Sequence, residues 1–310
     1  MAKTINKKNI YIAYILFLVT LFSLFLITSE LTLRKVFHLG SPVIYQQHQD
    51  YGYRPKPNQE LIRLKGNKVI INNLSLRNTQ NWSDNKLNKI LFVGDSVTYG
   101  GSYIDNNNLF TSLIENNLSG YKVGNAGVNG WGIKNMSGLV VEHQFQPAII
   151  YISLLIKSDF LRGKSQSYGW SRQPYLALEE LYIHYYKKWK TNFKNKPIQT
   201  PEKIKTNIKE SIVALKKMDQ TLKEKGYTHI IIYSPSKKEV ENNIPINSII
   251  QKELKKHNLI ITSLRKDIKS AAKNTPLNTF YYDNVHLTQL GHKLWATLLT
   301  KKLHTHINNQ

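Results

Sequence analysis

Three side chains carry the chemistry that this sequence can offer: Ser96, Asp283 and His286. Ser96 sits in Lys89-Ile-Leu-Phe-Val-Gly-Asp-Ser-Val-Thr-Tyr-Gly100, where the apolar run Ile90–Val93 reads as a buried strand that stops at Gly94-Asp95-Ser96. A hydroxyl just past the carboxyl end of a parallel strand stands where open α/β sheets bind their ligands. Backbone N–H groups opening the next helix can hold an anion there. Gly-Asp-Ser is also ordinary turn chemistry. What answers it is Asp283-Asn-Val-His286, near the other end of the chain. A serine is a weak nucleophile until a base takes its proton, and His286 is the natural base. Asp283, three residues earlier, can hold the other imidazole nitrogen and so fix the tautomer.

The elements that must bring these residues together are legible as apolar runs at Ile90–Val93, near Tyr121–Val123, at Ala148–Leu155, at His229–Tyr233 and at Leu259–Ile261. Between them lie segments of helical spacing: Leu109, Leu113, Ile114 and Leu118; Met136, Leu139, Val140 and His143; Ile208, Ile212, Leu215 and Leu222; and a last helix from about Gln289 to Lys302. Strands apolar throughout and alternating with helices predict an α/β fold, a five-stranded parallel sheet of flavodoxin type covered on both faces. In such a sheet the loop carrying Asp283 and His286 opens at the same edge as the loop carrying Ser96.

The chain has 310 residues, enough for one sizeable domain plus attachments, and no cysteine, which excludes disulfides and thiolate chemistry. Lys+Arg number 43 against Asp+Glu 20, a formal charge of +23. That field favours anionic partners, but no nucleic-acid module is present, so no nucleic acid is expected. Lys3, Lys7 and Lys8 precede Ile10–Thr28, which carries no charge. At ~1.5 Å per residue this run spans about 28 Å, near the ~30 Å of a bilayer core. No small-residue cleavage signature follows, so residues 10–28 are expected to be a signal anchor, residues 1–9 a cytoplasmic tail, and the bulk of the chain extracytoplasmic. Residues 29–87, with Tyr51-Gly-Tyr-Arg-Pro-Lys-Pro57 and a short strand at Lys68–Asn72, read as a stalk with a small β element. Residues 161–200 interrupt the alternation with Tyr168, Trp170, Tyr175, Tyr182, Tyr185, Tyr186, Trp189 and Phe193 among basic residues. A connection of that length is read as a lid-like insertion, with an amphipathic helix at Leu176–Lys190 facing sugar, anionic lipid or only the core.

From residue 88 to 305 the chain resembles the SGNH/GDSL hydrolase superfamily. Gly94-Asp95-Ser96 looks like its nucleophile block, Asn125-Ala-Gly-Val-Asn-Gly-Trp-Gly132 like its second block, and Asp283 with His286 like its last. The resemblance implies a three-layer α/β/α sandwich, a Ser96–His286–Asp283 triad, and an oxyanion hole formed by Ser96, Gly130 and the third-block residue, with Asp95, Asn129 and Trp131 beside the substrate. Where the family has Gly-x-Asn-Asp, this chain reads Leu155-Ile-Lys-Ser-Asp159, which puts Ser158 in the asparagine position. A hydroxyl donates a hydrogen bond but reaches less far than a carboxamide.

The expectation is a membrane-anchored serine esterase that cleaves acyl groups, O-acetyl above all, from an anionic cell-envelope glycan. The same triad would serve an O-acyltransferase or a lipase/lysophospholipase, and a glycan-binding protein with a degraded site is the non-catalytic alternative. No cofactor or metal is expected, since His184, His257, His292, His304 and His306 show no ligand spacing.

Overall fold

The computed structural model describes residues 7–82, 88–145, 147–193 and 200–307. Lys3 of the expected tail, residues 83–87 of the expected stalk and residues 194–199 of the insertion lie outside them. In chain order the elements are α1 (Lys7–Lys35), β1 (Tyr45–His48), β2 (Gly52–Pro55), β3 (Gln59–Arg63), β4 (Asn67–Ile71), β5 (Asn88–Gly94), α2 (Ser96–Tyr99), α3 (Phe110–Asn117), β6 (Tyr121–Gly127) and α4 (Ile133–Ser137). They continue with β7 (Ile150–Leu155), α5 (Lys157–Leu161), α6 (Ala177–Phe193), α7 (Pro201–Glu224), β8 (Thr228–Tyr233), α8 (Lys237–Glu241), α9 (Ser248–Lys256), β9 (Thr262–Ser263), α10 (Arg265–Ala271) and α11 (Gln289–Ile307). A π-helical turn, Gly138–Glu142, prolongs α4.

Two compact units result, one from 1–42, 63–66 and 173–196, the other from 43–62, 67–172 and 197–310. The larger unit holds a five-stranded sheet in the order β6-β5-β7-β8-β9, parallel at each pairing. This is the doubly wound order of flavodoxin-like folds, with the ligand edge where the order reverses beside β5. Side chains alternate across β5. Leu91 and Val93 join one core with Ile133, Met136, Ile212, Leu215 and Ile250 of α4, α7 and α9. Ile90 and Phe92 join the other with Phe110, Ile114, Ile268, Trp295 and Leu299 of α3, α10 and α11. Burial on both faces is what makes these strands apolar throughout.

The segment expected as a stalk divides. Residues 43–62 and 67–82 belong to the larger unit as two ribbons, β1–β2 antiparallel and β3–β4. Their Tyr51, Tyr53, Val69 and Ile71 are buried in the first core. Two strands differ from their expected bounds. The last one runs Thr262–Ser263 rather than Leu259–Ile261: Leu259 packs into the core, but Ile260 is 86 % exposed, so the apolar run leads into the edge strand instead of forming it. β6 continues through Gly124-Asn125-Ala126-Gly127, poor strand formers held by the ladder to β5 and by Asn125. Asn125 donates to Thr98 O at 2.7 Å, and its side-chain oxygen accepts from Gly127 N at 2.9 Å.

The smaller unit contains α1, the one helix among the described residues long and apolar enough to cross a membrane, with its large side chains exposed along the charge-free run. α6 begins within one residue of the expected amphipathic helix.

Candidate active site

β5 delivers Ser96. Its last residue pairs with Gly127 of β6 and Leu154 of β7, so the chain leaves the sheet at its reversal point. Asp95 then caps the four-residue helix α2 by accepting from Val97 N at 2.9 Å. Two glycines let α2 lie against the strands. A Cβ on Gly94 would meet Thr98 Oγ1 at 2.0 Å, and one on Gly127 would meet Tyr99 N at 2.2 Å. The second loop returns alongside: Val128 N donates to Gly94 O at 3.1 Å, and Gly130 turns the chain with φ +78°. A side chain there would be strained and would crowd Tyr53 Oη at 2.9 Å.

The distant loop arrives as the topology predicts. His286 Nε2 lies 2.9 Å from Ser96 Oγ, and His286 Nδ1 lies 2.6 Å from Asp283 Oδ2. Asp283 is held locally, because Oδ1 accepts the N–H groups of Val285 and His286, each at 2.8 Å. Burial alone pushes its carboxyl up, but the hydrogen bonds from His286 and Val285 outweigh this and hold it below the usual range. An ionised Asp283 requires the proton on Nδ1, which leaves the Nε2 lone pair facing the serine hydroxyl. Among the described residues the N–H groups of Ser96 and Gly130 donate to no protein acceptor, which leaves them available to an oxyanion.

The other expected site residues fall differently. Trp131 is wholly buried and its indole donates to Tyr53 O at 2.8 Å, so it builds the loop and offers no face to substrate. Asn129 is engaged by tyrosines: its amide donates to Tyr45 Oη at 2.9 Å, and its carbonyl accepts from Tyr53 Oη at 2.7 Å. Asp95 is fully buried, with Oδ2 3.4 Å from Ser96 Oγ and 3.2 Å from Arg162 Nη1. Ser158 stands half-buried in the first turn of α5, and its hydroxyl makes no protein hydrogen bond among the described residues.

Sequence reasoning missed the role of Arg162. Its Nη1 reaches Asp95 Oδ2 and Asp159 Oδ1, both at 3.2 Å, and Trp131 O at 2.8 Å, joining the segments that follow β5, β6 and β7. Burial, then the charge of Asp95, pushes the Asp159 carboxyl well up, and Arg162 offsets part of this. The available signal was the three-residue spacing between Asp159, in α5, and Arg162, the residue that ends that helix.

A second titratable group joins residues far apart in sequence. His48, Asp50 and His143 bring potential ligand atoms within 4.8 Å of one another. Protein partners account for it: Asp50 N donates to His48 Nδ1 at 3.2 Å, and His48 stacks on Tyr51 at 4.3 Å. Burial and then the nearby Arg54 charge push His143 down, and that same guanidinium opposes a cation.

Ser158 gives a direct test of the departure from the family pattern. If it occupies the third oxyanion position, Ser158→Asn is expected to raise kcat on a small acetyl ester by about tenfold, ~1.4 kcal/mol, with less change in KM. Ser158→Ala is expected to lower kcat. Steady-state kinetics of the three proteins check this; unchanged kcat in both variants would remove Ser158 from the oxyanion hole.

No known-family model and no curated protein matches this chain. Among solved structures it is similar to a member of the lipolytic protein G-D-S-L family from Veillonella parvula DSM 2008, at 12 % identity and a TM-score of 0.40 over 67 % of this chain and 94 % of that one. It is also similar to a catalytic mutant of an acetylxylan esterase from Geobacillus stearothermophilus, at 15 % identity and a TM-score of 0.42 over 70 % and 95 %. A third is a putative lipolytic protein of the G-D-S-L family from Desulfitobacterium hafniense DCB-2, at 12 % identity and a TM-score of 0.39 over 69 % and 98 %.

Proposed function

We propose that this chain is a serine hydrolase of acyl esters, with Ser96 as nucleophile, His286 as general base and acid, and Asp283 as the group that sets the imidazole tautomer. The observation that carries the reading is the unbroken relay, 2.9 Å from Ser96 Oγ to His286 Nε2 and 2.6 Å from His286 Nδ1 to Asp283 Oδ2. Ser96 Oγ attacks the ester carbonyl carbon as its proton passes to Nε2. The oxyanion that forms is held by the N–H groups of Ser96 and Gly130. Collapse breaks the C–O bond, the alcohol leaves with the proton from Nε2, and the acyl group stays on Ser96. Water, deprotonated by the same nitrogen, then releases the acid.

The substrate is read as an O-acylated glycan of the cell envelope, with acetyl as the acyl group. Tyr282 is 63 % exposed and stacks on Tyr103 at 4.4 Å, immediately before Asp283, which supports an aromatic platform for a sugar ring at the site's rim. The charge of +23 favours an anionic polymer. The length and apolarity of α1 support a single membrane span, and the lysines before it favour a cytoplasmic amino terminus.

The deciding experiment is intact-protein mass spectrometry of the full chain in detergent with a fluorophosphonate. One adduct on Ser96 is expected, and none on Ser96→Ala, which is also expected to lose turnover of an activated acetyl ester. Equal labelling of the two proteins would sink the assignment.

A further inference from the structure

α6 carries two faces that ask for different surroundings. Ala177 and Glu180 are buried within the smaller unit, where the Glu180 carboxylate accepts from Gly40 N at 2.6 Å and pairs with Arg63 at 2.5 Å. The opposite face presents Tyr182, Tyr185, Tyr186 and Trp189, the i, i+3, i+4, i+7 pattern of a single stripe. Tyr182, Tyr185 and Trp189 are 67 %, 59 % and 57 % exposed. The stripe is continuous: Tyr182 lies 5.9 Å from Tyr186, Tyr186 lies 6.2 Å from Trp189, and Lys190 Nζ sits over the Tyr186 ring at 5.7 Å. Aromatic surface of this extent marks a contact.

What covers it follows from where α6 is fastened. Glu30 of α1 caps its first turn, with Oε1 accepting from Ala177 N at 2.8 Å and Oε2 from Leu178 N at 3.1 Å. Arg34, four residues further along α1, donates to Glu30 at 2.6 Å and to Tyr175 O at 2.9 Å. The charge-free run of α1 ends at Thr28, so Glu30 lies only about 3 Å beyond it along the helix. If α1 spans the bilayer, Glu30 and Arg34 stand at the boundary between hydrocarbon and headgroups, and α6 begins at that depth. Tyrosine and tryptophan, apolar in body and polar at one edge, are the side chains that settle there, and lysine reaches outward from it.

We infer that α6 is an interfacial helix, its Tyr182–Tyr185–Tyr186–Trp189 stripe lying in the headgroup region of the same bilayer that α1 enters. This rests on the reading of α1 as a span. The chain then touches the membrane twice, once across it and once along it.

The test uses the full chain reconstituted singly in nanodiscs of phosphatidylcholine and phosphatidylglycerol, with or without bromine on the acyl chains. Trp131 and Trp295 have no exposed surface, Trp82 is 6 % exposed and Trp170 is partly buried, so Trp189 is the most exposed of the five tryptophans and Trp189→Phe isolates its share of the quenching. Brominated lipid is expected to quench the emission, and Trp189→Phe to remove at least half of that quenching. Alkaline carbonate extraction of native membranes is run beside it. Release of the chain by carbonate would overturn the span and this inference with it. Retention with quenching absent, or identical in Trp189→Phe, would overturn the inference alone. The chain lacks cysteine, so Tyr185→Cys supplies a single thiol. A disulfide between copies in proteoliposomes, with Trp189 unquenched in single-copy discs, would assign the stripe to a second copy instead.

Discussion

His286→Ala is expected to cut kcat on a small acyl ester by about 10⁴-fold or more, and Asp283→Asn by about 10³–10⁴-fold. The first loss follows from Ser96 having one base within reach. Asp95 Oδ2 stands 3.4 Å away, and its carboxylate is already occupied by Val97 N and Arg162, so it cannot replace an imidazole at 2.9 Å. The second loss is a matter of orientation. Asp283 Oδ1 is pinned by the N–H groups of Val285 and His286, a position that only an oxygen acceptor can fill. In Asp283→Asn the amide oxygen must take that place, which turns the NH₂ toward His286 Nδ1. Nδ1 then has to accept, its proton moves to Nε2, and the nitrogen facing Ser96 no longer has a lone pair. The isosteric asparagine should therefore be at least as damaging as Asp283→Ala, which leaves the imidazole free to choose its tautomer. Steady-state kinetics on one acetyl ester, with circular dichroism to confirm folding, provide the comparison. An Asp283→Asn enzyme with more than a third of the normal kcat would refute this account of the relay.

The parts legible in the sequence share a physical cause: their information is local. Ile90–Val93 is buried on both faces, so its composition alone marks a central strand, and Gly94-Asp95-Ser96 sits at its end. Asp283 and His286 are three residues apart and bond within one loop, so their spacing already carries their geometry. What could not be read depends on partners distant in the chain. Trp131 has the type of a sugar-stacking residue, but Tyr53 O, supplied by β2, takes its indole N–H and closes it into the core. Gly124–Gly127 has no strand propensity, and is a strand because β5 lies beside it and Asn125 ties it to Thr98. Arg162 was visible only as one basic residue in an aromatic insertion, since two of its three partners come from other loops.

Arg77 is the clearest case of such hidden dependence, and its removal is expected to have the largest effect on stability. Its segment, Leu74-Ser-Leu-Arg-Asn78, has no pattern that separates it from a spacer, yet the guanidinium is only 1 % exposed. Nη1 donates to Tyr99 O at 2.7 Å and Gly101 O at 2.5 Å, Nη2 to Ile104 O at 2.5 Å, and Nε to Asn106 Oδ1 at 3.2 Å. The Tyr99 ring lies 4.6 Å from the guanidinium carbon. These acceptors lie at the end of α2 and in the chain that leaves it, so one side chain holds the loop that begins four residues after Ser96. Arg77→Leu keeps much of the apolar stem but strands several buried carbonyls, each costing about 1–3 kcal/mol. The expected destabilisation is at least about 3 kcal/mol, in the range for breaking a buried charged network. Arg77→Lys restores a charge but not the planar fork, so it should fall between the two. Urea unfolding of the full chain in detergent, followed by tryptophan emission, gives the midpoints. Because the loop follows Ser96, Arg77→Lys should also lower fluorophosphonate labelling of that residue under conditions where the protein remains folded. An unchanged midpoint in Arg77→Leu would show that these carbonyls find other donors and that the loop does not depend on Arg77.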